Sequence, residues 1–100
     1  MTDICLLTLV VPPSLEDTLI DWLLMQENIS GFSSAEINGH GAGSNKLSIY
    51  EQVTGRQKRI EFKIHTEISI AASMIDALKI KLPNSGLHYI MTPVLSAGQI

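Results

Sequence analysis

The sequence predicts an α+β domain built from two strand–helix–strand halves, and three observations carry that prediction. Two short runs, Ile4 to Val11 and Leu87 to Leu95, are apolar on both of their alternating faces, as strands packed on two sides are. Two other segments repeat apolar residues at helical spacing, each directly after a strand pattern. Between the halves, Lys58 to Thr66 (KRIEFKIHT) alternates apolar and polar residues with period two.

The elements follow in order. In Ile4 to Val11, Ile4, Leu6 and Val10 lie on one face and Cys5, Leu7, Leu9 and Val11 on the other. Pro12-Pro13 ends the strand, because proline cannot donate to a central ladder. Ser14 is placed as an N-cap, with Glu16 and Asp17 in the first turn where the helix dipole favours carboxylates. Leu15, Leu19, Trp22 and Leu23 then give an amphipathic helix over residues 15–26. A second strand is expected over Phe32 to Ile37.

Residues 38–57, NGHGAGSNKLSIYEQVTGRQ, are glycine-rich at the start and polar through most of their length. A connection this long is commonly functional or disordered. Ser48-Ile49-Tyr50-Glu51 fits a capping box and Gly55 a helix stop, which predicts one or two helical turns inside it. In the third strand Ile60, Phe62 and Ile64 face one way and Glu61, Lys63 and His65 the other. Ser69 is placed as the cap of a second helix carrying Ala71, Ile75, Leu78 and Leu82, and Pro83 to Gly86 form the turn into the last strand.

The order β-α-β-loop-β-α-β, with right-handed crossovers, puts both helices on one face of a four-stranded antiparallel sheet. This is the ferredoxin-like arrangement, here a single domain over residues 1–100 with its loop at 38–57. Helices on one face alone leave the other face of the apolar strands uncovered. The residues expected there are Leu7, Leu9 and their strand neighbours, a patch of the kind that marks an interface, and oligomerisation through the open face is the expectation.

Composition bounds the function. One hundred residues with 45% hydrophobic content suit one globular domain with one core. A net charge of −3 argues against non-specific nucleic-acid binding. The single cysteine, Cys5, allows no intramolecular disulfide. The first apolar run stops far short of the roughly 20 residues that span a bilayer, and no signal-peptide pattern precedes it. The expectation is a soluble, cytoplasmic protein.

The segment Gly31-Phe32-x-x-x-Glu36-Ile37-x-Gly39-x-Gly41, followed by the long loop, resembles the second strand and T-loop of the PII signalling proteins. Thr92-Pro93-Val94 is similar to the Ser-Pro-Val at the close of their last strand. Nearest in character is a small bacterial PII-related family of unknown function, often encoded beside heavy-metal efflux pumps; CutA, a trimeric ion-tolerance protein, shares the fold. The resemblance implies a homotrimeric regulator that reads a small ligand at clefts between subunits and docks its loop on a partner such as a membrane transporter or efflux pump. A CutA-like metal-binding protein serving heavy-metal tolerance is the alternative. One departure bears on the ligand. PII proteins hold nucleotide phosphates with a Thr-Gly-x-x-Gly-Asp-Gly-Lys segment, whereas this chain has Leu82-Pro83-Asn84-Ser85-Gly86-Leu87, with one glycine and no lysine. A divalent metal and an adenine nucleotide are both ligand candidates, and the residues specify no cofactor.

The candidate site residues fall into two groups. Gly39 and Gly41 at the loop's start, with Arg56, Lys58 and Arg59 at its end, form a candidate ligand-binding base, since arginine pairs well with phosphate or carboxylate. The bland reading is a charged edge that discourages strand pairing. His40, His65 and His88 are candidate metal ligands by their imidazoles, although their spacings match no metal motif. The alternative is an exposed loop histidine and two hydrogen-bonded strand histidines. The glycines Gly39-x-Gly41-x-Gly43 open no helix, so they do not read as a dinucleotide fingerprint. No nucleophile–base arrangement is legible, and no catalytic residue is predicted.

Overall fold

A computed structural model describes residues 3–40 and 56–100. The elements are β1 (Ile4–Val11), a 3-10 turn (Pro13–Leu15), α1 (Glu16–Leu24), β2 (Ser33–Gly39), β3 (Gln57–Glu67), α2 (Ile68–Lys81) and β4 (His88–Pro93). The four strands form one antiparallel sheet in the order β2-β3-β1-β4. With two helices laid on one face, this is the ferredoxin-like α+β arrangement that the element order predicts.

β1 is the centre of the sheet. It pairs with β3 from Ile4↔Glu67 to Val11↔Ile60 and with β4 from Cys5↔Pro93 to Val10↔His88. Its burial alternates without a break: Cys5, Leu7, Leu9 and Val11 are buried, and Ile4, Leu6 and Val10 are half-buried. The buried set meets Ile60, Phe62 and Ile64 of β3, Leu19 and Leu23 of α1, and Ala71, Met74, Ile75 and Leu78 of α2 in a single core. Phe32 extends that core, its ring centroid 6.1 Å from that of Phe62.

This corrects the expectation for the open face. Leu7 and Leu9 are fully buried beneath the helices, so they are not the uncovered patch. The open face carries Ile4, Leu6, Thr8 and Val10 instead, with Ile90 of β4 beside Thr8. A strand apolar on both sides does not reveal by its periodicity which side meets the helices.

Both predicted caps are also corrected. Ser14 lies inside the 3-10 turn, whose Leu15 amide donates to the Pro12 carbonyl at 3.0 Å, and α1 starts after Leu15 with no side-chain cap. The paired prolines favour a tight turn before the helix proper. α2 begins at Ile68, one residue before Ser69, and Glu67 stands at its N-cap position without a side-chain cap bond. Its first amide is satisfied across the fold: the Ile68 N–H donates to the Asp3 carbonyl at 3.0 Å. A tertiary acceptor thus takes a role that the sequence assigned to a hydroxyl.

β2 and β3 each reach into the span read as loop, to Gly39 and back to Gln57. The predicted helical turns around Ser48 to Gly55 lie outside the described residues. Among the described residues, no helix is long and apolar enough to cross a membrane.

Candidate functional site

The register brings the base of the loop together. Gly39 pairs with Gln57, Asn38 with Lys58 and Ile37 with Arg59. Arg59 Nη2 donates to Gln57 Oε1 at 2.7 Å, which satisfies the buried Gln57 amide and holds the guanidinium along the strand. A Cβ placed at Gly39 would meet the Arg59 Cγ at 3.6 Å, ordinary contact distance. A shallow cleft of about 260 Å³ opens here, lined by Lys58 and Arg59 together with Glu16, Glu36 and Asn38. Four of the predicted ligand residues, Gly39, Arg56, Lys58 and Arg59, therefore share one end of the β2–β3 ladder; Gly41 lies outside the described residues. The two carboxylates in the cleft make its charge mixed, so it is no simple anion pocket.

The three histidines are not brought together. His40 is exposed just past the end of β2. His65 and His88 are both exposed on the open sheet face, where His65 flanks Leu6 and His88 flanks Val10 on the opposite side of β1. Four residues of β1 separate those positions, about 13 Å at strand rise, with two strand spacings across. Among the described residues, no group of three or more His, Cys, Asp or Glu is placed to hold a metal. Cys5 is buried on the helix side, and burial pushes its thiol pKa up. That favours the thiol over the thiolate that both metal binding and nucleophilic attack need.

The open face also carries charge. Glu61 and Lys63 share it with His65 along β3, and the Lys63 Nζ lies 3.5 Å from Glu61 Oε1. Apolar Leu6 and Val10 thus run down the middle of a face edged by titratable groups.

A further cleft, absent from the sequence reading, lies on the helix side at the β4 edge. It has a volume of about 390 Å³, with Leu9, Ile75, Leu78 and Leu82 among its walls and the turn Pro83–Gly86 at one end. Lys79 and Tyr89 stand at it, the Lys79 ammonium 5.9 Å from the centroid of the Tyr89 ring. These groups come from three distant parts of the chain. The local signal was Lys79 between Leu78 and Ile80 in the last turn of α2, and dipole complementation, shared with Lys81, explains it equally well.

A family model described as "Protein of unknown function (DUF3240)" matches residues 1–100. The chain belongs to the DUF3240 family. The fold of this DUF3240 chain is similar to that of a solved DUF3240 family protein from Shewanella baltica OS155, with a TM-score of 0.80 at 23% identity, covering 100% of this chain and 99% of that one. It is also similar to part of a Bacillus cereus protein related to NIF3, with a TM-score of 0.68 at 16% identity. That match covers 98% of this chain but 27% of the other, so the DUF3240 chain corresponds to about a quarter of that protein. At these identities the likeness is one of fold. No curated protein matches the sequence.

Proposed function

We propose that this DUF3240 protein is a PII-like regulatory protein: a cytoplasmic homotrimer, not an enzyme, that binds a small ligand at clefts between subunits and a partner protein through the loop at 38–57. The observation that carries the reading is the uncovered sheet face. Ile4, Leu6 and Val10 occupy the centre of the sheet with neither described helix above them, and Ile90 is 47% exposed beside them. An apolar strip of this kind on the middle strand is the feature that a subunit interface would cover. Packing three such faces together would place the β2–β3 ladder ends, with Arg56, Lys58 and Arg59, at the outer rim where a ligand and a partner both have access. A membrane transporter or efflux pump is the partner that the resemblance implies.

Light scattering at micromolar concentration tests the assembly, with a trimer expected; a monomer overturns the reading. Thermal-shift measurements with ATP, ADP, AMP, bicarbonate and divalent metals test the sensing role, and stabilisation by at least one is expected.

The metal-tolerance reading has one observation in its favour. His65 and His88 both project from the face that would be covered, so a threefold assembly would multiply imidazoles near its axis. His65→Ala and His88→Ala that leave copper and zinc affinity unchanged would reject it.

A further inference from the structure

The cleft between α2 and β4 lies apart from the loop base, and its end wall, Pro83–Gly86, stands where PII proteins carry their phosphate-holding segment. Its floor and inner wall are apolar: Leu9 is fully buried, and Ile75 and Leu78 come from the core-facing side of α2. Tyr89 is the direct strand partner of Leu9, so its ring stands beside that floor, yet it is 43% exposed. The end wall is a fixed turn. Asn84 and Gly86 hold left-handed backbone (φ 55° and 82°), the Leu87 N–H donates to Ser85 Oγ at 3.3 Å, and Gly86 packs close to the Pro12 ring. The cavity is therefore preformed, and about 390 Å³ is within the range of small-molecule sites.

Charge decides the ligand class. Among the described residues, none that lines the cleft is acidic, and the one cation there, Lys79, rests over the Tyr89 ring. An ammonium on an aromatic face is loosely held and can turn to an anion at little loss. Uncharged polar groups of Asn84, Ser85 and Tyr89 line the same cleft and supply hydrogen-bonding capacity.

We propose that this cleft binds a small monocarboxylate with a flat or branched apolar body, the body against Leu9, Ile75 and Leu78 and the carboxylate on the Lys79 ammonium. Dianions and polyphosphates are disfavoured, because Lys79 is the one cation among the described residues of the cleft and the C-terminal end of α2 presents carbonyls rather than amides. The described residues of a single subunit form the cleft, so the titration reads it whether or not the chain assembles.

The test is an NMR titration of the full chain, in whatever oligomeric state it adopts, with phenylacetate and indole-3-acetate as probes and phenylacetamide as the uncharged control. Saturable shifts are expected at Leu9 and at the amides of residues 82–89, with phenylacetamide binding more weakly than phenylacetate. Lys79→Gln should weaken phenylacetate about threefold to fivefold, the range of a solvent-exposed ion pair, and Lys79→Arg should restore most of it. Leu87→Trp, which adds bulk at a residue lining the cleft, should remove binding of acid and amide alike. The proposal fails if no saturable shift occurs at these residues up to millimolar probe. It also fails if the amide binds as tightly as the acid, or if Lys79→Gln changes nothing. A second copy of the chain filling the cleft would give the first of these outcomes.

Discussion

Leu6 and Leu7 are neighbours in the chain and lie on opposite sides of the sheet, so they separate the two surfaces of the molecule at the level of single residues. Leu7→Ala empties a fully buried site and should lower unfolding stability by about 2–5 kcal/mol in chemical denaturation. Leu6→Ala, on a half-buried position, should cost distinctly less in the monomeric chain. Equal losses would mean that the two faces are packed alike. Cys5 makes a second prediction. Its burial should keep alkylation by a thiol reagent far slower in the folded protein than in denaturant. Because the folded thiol pKa is raised, its contribution to stability is fully present below the unfolded value of roughly 8.5. It is lost as pH rises through the folded pKa, and comparison with Cys5→Ala denaturation midpoints between neutral and alkaline pH reads that loss directly.

At the scale of the element, the turn between α2 and β4 is the sharpest test of local geometry. Gly86 has φ 82° and lies against Pro12, so Gly86→Ala should destabilise by about 1 kcal/mol and lower the thermal midpoint. An unchanged midpoint would show that the turn relaxes freely. Much of this architecture was legible in the sequence. The period-two pattern of Lys58 to Thr66 located β3 within a residue of each end, and the apolar repeat of Ala71, Ile75 and Leu78 located the buried side of α2. What the sequence hid were choices that depend on partners far away in the chain. The start of α2 is set by the Asp3 carbonyl rather than by Ser69, and the buried side of β1 is set by where the helices land. The candidate sites divide along the same line. Lys58 and Arg59 are adjacent in the chain and were found together, whereas Leu9, Lys79 and Tyr89 are assembled only by folding.

For the whole molecule, the decisive quantity is the number of subunits. Leu6→Asp places a charge in the middle of the open sheet face while leaving the helix-side core untouched. If the proposed trimer forms through this face, the variant should keep its circular dichroism and scatter light as a monomer; a trimer that persists would move the interface elsewhere on the surface. The position of β1 has one more effect, on how the chain is made. Of the described strands, the first to be synthesised is the one the sheet needs on both sides, and its neighbours β3 and β4 are the last two. Until β3 emerges its apolar residues have no ladder to join, and the described helix then available to them is α1, since α2 follows β3. Such long-range closure slows folding and leaves the nascent chain open to wrong pairings. A ribosome stalled before His88 would hold a sheet whose stickiest strand is an edge, so translation must run to the final strand before this protein becomes safe from its own copies.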